Sequence, residues 1–495
     1  MVWHTQSCNG IEMGPRRESP LGYKAIAHKF IHKIESGQLI KGAPLPSSRD
    51  LAQSLGVSRD TIVRCYRYLE DLSYVRSEGA RGTFVSHDSR AQTLPNSPEP
   101  LQLDRLSTLG KLYAKDIPLY LFSPNFPQLD YGAVPREALP VKRWREVMQN
   151  LSRPTQFRHF KYEMEVLGRS ELRQALVLHL NRSHNLACSV NEISVFNISA
   201  NAVELLCQLL LEPNDIIAVE NPGFGGIKNI ALYQQIGLAP VAVDDEGLIV
   251  EELDKLPRVP KLIYVTPSSQ DPTGVPMSLS RRMQLLAWSV RNHAWIIEDD
   301  YDGYFRQEKK DLPSLKSLAT SNNVIYVSSF WQVLYPLTTT SFIVAPENLM
   351  AVMERSKAQG FGITETMVQL VLAEMLSDGY FYKHIRKWDK IFSGRRRALC
   401  YELNQALGER VFIPNQSGGL NCLVRIDAWS SESILACADR AGLPMVSTED
   451  FYLINKRRDE FLVRFATQSE EQLKMTVKRF VRLLKSESAH RSEPT

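Results

Sequence analysis

Residues 324–345 read VIYVSSFWQVLYPLTTTSFIVA. The apolar runs at 324–327 and 342–345 have the length and β-branched content of buried strands. A short polar stretch, 328–341, joins them, and loops between buried strands commonly carry binding and chemistry. Further runs of this kind precede it: ISVFNI (193–198), IIAVEN (216–221), LIYVTP (262–267) and WIIEDD (295–300). Helical stretches fit between and after them, at 200–211, 225–234, 279–292 and 344–357. That alternation predicts an α/β body, a mostly parallel sheet with helices on both faces. Ligands in such sheets bind beyond the carboxyl ends of the strands, so EDDYD (298–302) and SSFWQ (328–332) fall at one candidate site.

The chain before residue 90 follows a different pattern. In YKAIAHKFIHKIES (23–36), Ile26, Ala27, Phe30, Ile31 and Ile34 recur at helical spacing, and Gly37 follows as a stop. PLPSSRDLAQSLG supplies a helix N-cap at Ser47 or Ser48 and a terminator at Gly56. Ser58 caps a third helix with Ile62, Cys65, Tyr66 and Leu69 on one face, and Arg59, Thr61, Arg64 and Arg67 largely elsewhere. Two short helices joined by a glycine-containing turn form a helix-turn-helix pattern. SYVRSEGARGTFV then alternates and turns at Gly79 and Gly82, as a β-hairpin wing does. Residues 21–85 hold ten Lys and Arg against six Asp and Glu, a net +4 that equals the charge of the whole chain. Positive charge concentrated in this way suits phosphate contacts, and a helix start suits base reading in a major groove.

The remaining bulk features are exclusions. With 495 residues the chain has room for two or three domains. It shows no apolar run near the roughly 20 residues of a membrane span. Residues 1–20 show no apolar core after Arg16 and Arg17, so no signal peptide is expected. Seven scattered cysteines without a CxxC argue for reduced thiols in a cytoplasmic protein, and against a metal site or a disulfide frame.

The string LPSSRDLAQSLGVSRDTIVRCYRYLEDLSYVRSEGARGTFV closely resembles the winged-helix domain of the GntR family. The resemblance implies contacts to double-stranded operator DNA from Ser48, Arg49, Ser58, Arg59, Asp60, Thr61, Arg64, Arg81 and Gly82. In the body, NPGFGG (221–226), TPSSQDPTG (266–274), IIEDDYDGYF (296–305), the 328–342 stretch and GGLN (418–421) stand in an order resembling fold-type I pyridoxal-phosphate (PLP) aminotransferases. With the winged helix in front, the chain resembles the MocR subgroup of GntR regulators. The implied fold is a winged helix-turn-helix followed by a fold-type I transferase-like domain with a smaller C-terminal α+β subdomain. The expected divisions are an extension (1–20), the winged helix (21–89), a linker (90–116), the aminotransferase-like body (117–486) and a tail (487–495).

For PLP the resemblance implies Asp299 against the pyridine nitrogen, Tyr301 at the phenolic oxygen, Phe224 on the ring face and Ser329 at the phosphate. It also implies Tyr162 reaching a partner subunit's phosphate. A turn carboxylate at Asp299 and a core aromatic at Phe224 are the plainer readings of those residues. Several positions depart from the family. The lysine that bonds PLP corresponds to Gln332, and an amide nitrogen is no nucleophile at any pH. The phosphate arginine corresponds to Thr339, the substrate-carboxylate arginine to Thr467, and the phosphate-loop glycine to Ser199. Arg464, three residues before Thr467, is expected on the opposite strand face. Asp271 puts an acid where PLP's oxygen would lie. The expectation is a DNA-binding transcription regulator and homodimer. Its aminotransferase-like body is catalytically inactive and senses a small-molecule effector, with no covalent cofactor, no metal and no membrane partner. PLP or pyridoxamine phosphate held non-covalently, a PLP-dependent transaminase, and a pure interaction scaffold are the alternatives.

Overall fold

The computed structural model describes residues 22–87, 103–114, 134–157, 165–305, 312–361, 364–414 and 419–491. The chain forms two compact units that divide after Leu106.

The first unit is a three-helix winged domain. Helix α1 (Tyr23–Glu35) buries Ile26, Ala27 and Ile34. Helix α2 (Ser48–Leu55) buries Leu51 and Ala52, and α3 (Arg59–Asp71) buries Ile62, Cys65 and Leu69. These are the positions that helical periodicity places on one stripe. Strands β1 (Val75–Ser77) and β2 (Thr83–Val85) pair antiparallel, and the opposed, buried Val75 and Val85 join the same core. Fully burying a side chain such as Ile62 contributes about 1.5–3 kcal/mol. A unit this small has few of them, so each counts.

The second unit is built on an eight-stranded sheet ordered β3-β10-β9-β8-β7-β4-β5-β6. Its strands are β3 (Ile193–Phe196), β4 (Ile216–Asn221), β5 (Gly237–Asp244), β6 (Gly247–Leu248), β7 (Leu262–Val265), β8 (Trp295–Asp300), β9 (Val324–Ser329) and β10 (Ser341–Val344). The central neighbours β5, β4, β7, β8 and β9 run parallel, while β10 runs antiparallel to both β9 and β3. Strands β3, β7, β9 and β10 are buried along their whole length, and apolar side chains pack on both sheet faces. This explains why they read as continuous apolar runs rather than as alternating ones. A smaller antiparallel sheet, β11 (Val411–Phe412), β12 (Asn421–Ile426), β14 (Glu460–Arg464) and β13 (Met445–Ser447), packs with the helices 431–441 and 470–491. This is the expected C-terminal α+β subdomain.

Two details refine the expected divisions. Within the span read as a linker, Thr108–Tyr113 is helical, N-capped by Ser107, and Tyr113 stacks on Tyr233 with ring centroids 4.1 Å apart. The last helix, Glu470–Arg491, runs past the expected start of the tail at 487. Residues 487–493 contain neither Gly nor Pro to stop it, and the first proline comes at Pro494.

Candidate functional site

On the winged domain, local capping sets the geometry of the helix-turn-helix. Ser47, not Ser48, is the N-cap of α2, and its side chain accepts the Asp50 N–H. Helix α2 ends at Gly56, whose left-handed conformation (φ 64°) suits a residue without a Cβ. Two residues later Ser58 caps α3, accepting the Thr61 N–H at 3.2 Å and sharing a 2.8 Å contact with the Thr61 hydroxyl. Arg59 Nε donates to Ser48 Oγ at 3.4 Å, which ties the starts of the two helices together. Arg49, Arg59, Asp60, Arg64, Arg81 and Gly82 are exposed, and Ser48 and Thr61 half-buried. Arg64 pairs with Asp60 at 2.9 Å, but both are highly exposed, so the pair adds little stability. Gly82, at φ 110° and ψ −166°, turns the chain at the wing. The structure thus places the predicted residues of this unit at the starts of α2 and α3, with Arg64 one turn further along α3, and on the wing.

In the body, a cavity of about 300 Å³ opens where the parallel strands end. Phe224, Asp299, Tyr301, Ser329 and Gln332, predicted together, all line it, as do Ser199, Asp271 and Thr339. Asp299, near the end of β8, is buried and accepts the Tyr264 hydroxyl from β7. Burial pushes the Asp299 carboxyl up to about 7, and the charges of Asp300 and Asp271 add to the rise against the Tyr264 hydrogen bond. Phe224 stacks on Tyr264, with centroids 6.2 Å apart. Ser329 closes β9, and its hydroxyl accepts the Trp331 N–H at 3.0 Å. Gln332 follows on a single helical turn (Trp331–Leu334) and is 4% exposed. Its Nε2 donates to Asp302 Oδ1 at 2.5 Å. The helix Ser199–Leu210 starts at the cavity with no side-chain cap.

Three expectations are revised or lie outside the described residues. Tyr162 lies outside the described residues. Thr467 does not belong to the cavity: β14 ends at Arg464, and Thr467 is exposed in the following turn. The strand-face argument relating Arg464 to Thr467 therefore fails, because only one of the two is on the strand. β14 instead presents Leu462 to the cavity, while Arg464 is buried and paired in register with Asn421.

Sequence reasoning missed Asp302, Tyr264, Trp331, Tyr335 and Asn421. Asp302 stood inside the EDDYD string and Trp331 beside Gln332, so proximity was a signal for both. Tyr264 looked like one more apolar strand residue, and only the pairing of β7 with β8 brings it to Asp299.

Residues 128–480 match the family described as Aminotransferase class I and II, and residues 22–85 match the gntR family of bacterial regulatory proteins. The chain belongs to the aminotransferase class I and II family. Its N-terminal unit is a GntR winged helix. Among relatives, it is 28% identical over 459 residues to the HTH-type transcriptional regulator YdeL of Bacillus subtilis, covering 92% of this chain and 95% of that one. It is 28% identical over 420 residues to a probable rhizopine catabolism regulatory protein, MocR, of Rhizobium meliloti, covering 83% of each. In fold it resembles the kynurenine aminotransferase of Pyrococcus horikoshii. The TM-score is 0.66 at 24% identity, over 77% of this chain and 95% of that one. The chain thus joins a GntR winged helix to a body with the fold of class I and II aminotransferases, and regulators such as MocR are among the proteins it resembles.

Proposed function

We propose that this protein is a DNA-binding transcription regulator whose aminotransferase-like body is a non-catalytic effector and dimerisation module. The observation that carries the reading is Gln332. On this reading it occupies the position of the family's PLP-bonding lysine, and it is buried against Asp302 as an amide. An amide cannot act as the amine nucleophile that covalent attachment requires. Among the described residues that line the cavity there is no lysine or arginine to attach the cofactor or neutralise its phosphate. We therefore read the cavity as unfit for covalently held PLP. Losing charge-assisted partners of about 1.5–3 kcal/mol each, together with the covalent link, lowers affinity by orders of magnitude.

For the head, support comes from the exposed Arg49, Arg59 and Arg81 around a helix-turn-helix and wing. A two-fold dimer would present two such heads to paired half-sites. A second reading, a PLP-sensing regulator or transaminase with non-covalent cofactor, draws on Phe224, Asp299, Tyr301 and Ser329 still sharing one cavity. Absorbance spectra of the full chain and of Gln332→Lys, each with and without PLP, separate the two. The expected result is no new absorbance band in the wild type. A stable band with wild-type protein would support the second reading. Retardation of operator DNA by the same preparation tests the regulatory assignment.

A further inference from the structure

We propose that the cavity around Gln332 binds a small organic amine, its ammonium group received by Gln332 Oε1 and the carboxyl groups of Asp271 and Asp302. The proposal rests on the reading of the body as an effector module.

The first observation is an unpartnered acceptor. Gln332 is 4% exposed and lines the cavity. Its amide orientation follows from its hydrogen bond. Gln332 Nε2 donates to Asp302 Oδ1 at 2.5 Å, so the –NH2 faces Asp302 and Oε1 faces away. That Oε1 is buried without a hydrogen-bond partner. A buried carbonyl oxygen in this state is unfavourable unless something brings a donor. Asn421, also on the cavity wall, repeats the pattern with a buried and unpartnered Oδ1.

The second observation is the sign of the lining. Asp271, Asp299 and Asp302 face the same space, with no Lys, Arg or His among its described lining residues. The charged groups acting on Asp299 and on Tyr301 are other carboxyls, namely Asp271, Asp300 and Asp302. The N-terminus of the helix 199–210 offers only about half a positive charge against them. Arg464 stands across the ladder from Asn421 but is not among the lining residues. Trp331 and Tyr335 add aromatic surface, their rings 5.3 Å apart, and ammonium groups bind well to such faces. The aromatic faces and the carboxyls together suit an organic ammonium, and among the described residues no three acidic, histidine or cysteine side chains converge to hold a metal ion. At about 300 Å³ the space suits a small molecule.

The test uses the full-length protein and a four-carbon series: 1,4-diaminobutane, the neutral 1,4-butanediol and the anionic succinate. The diamine is expected to raise the melting temperature saturably, and the diol and succinate to leave it unchanged. Asp302→Asn keeps an acceptor for Gln332, and Asp271→Asn keeps its size. Each is expected to melt within a few degrees of wild type without ligand and to bind the diamine about tenfold more weakly, the loss of one charge-assisted bond. No shift with the diamine, an equal shift with succinate, or a shift with PLP alone overturns the proposal. If the diamine fails while operator DNA is still retarded, the amine site is wrong and the regulator reading stands. If the diamine binds but DNA is never retarded, the amine site stands and the regulator reading fails.

Discussion

Gln332 and Asp302 form a buried amide–carboxyl contact in the wall of the cavity beyond the strand ends. The carboxyl beside them is unusual too. Asp299 is pushed up to about 7 by burial, against about 3.9 in an unfolded chain. The folded state therefore holds this proton more tightly, so the stability it contributes is fully present below about pH 4 and is lost as pH rises through about 7. Glu220 and Glu298, also raised to about 7 by burial, act in the same direction. Asp299→Asn should thus flatten the decline in urea midpoint between pH 4.5 and pH 7.5, with the Asn oxygen still accepting from Tyr264. An unchanged slope would show that Asp299 is ionised throughout. On the head, Arg59 is exposed at the start of α3, and Arg59→Ala should weaken operator binding by about 1–3 kcal/mol with blurred sequence choice. Unchanged affinity in a gel shift would remove it from the interface.

At the scale of elements, the caps decide how α2 and α3 meet. Ser58 satisfies the first turn of α3, and Gly56 lets α2 stop and reverse in two residues. Ser58→Ala should cost about 1 kcal/mol of stability in the winged domain. It should also reduce DNA affinity, because the start of α3 carries Arg59. Circular dichroism and a gel shift on the same preparation measure the two effects. These caps were legible in the sequence because capping is local chemistry, three residues wide. The central strands were legible for a related reason: burial on both faces leaves no polar alternation to obscure them. Strand β5 was not, since it is largely half-exposed and carries Pro240. Nor was the end of β14, because nothing in FLVRFATQ distinguishes Arg464, the last strand residue, from the turn that follows.

At the scale of the molecule, each of the two units has its own buried core. Residues 22–87 contain no tryptophan; of the seven in the chain, Trp144, Trp288, Trp295, Trp331, Trp388 and Trp429 lie in the second unit and Trp3 precedes the head. In a Trp3→Phe background tryptophan fluorescence therefore follows the body, and circular dichroism follows both. Ile62→Ala, at a fully buried position in the head, should destabilise that unit by about 2–5 kcal/mol. It should add an early transition by dichroism and leave the fluorescence midpoint in place. Coincident shifts in both signals would mean that the units unfold as one.

The sequence by itself determined the two-part architecture, the helix-turn-helix with its caps, the alternating strands and helices, and the amide at position 332. All of these rest on local periodicity, turn chemistry or the identity of one residue. Only the tertiary structure decided that Tyr264 backs Asp299, that Asp302 holds Gln332, and that Leu462 rather than Thr467 faces the cavity. Those relations depend on strand order, strand ends and the direction of buried side chains, which arise from contacts tens to hundreds of residues apart. For the same reason a loop marked by one unexpected residue proved to be part of an acceptor-rich cavity, since the groups around Gln332 come from β7, β8, β9 and β12 together.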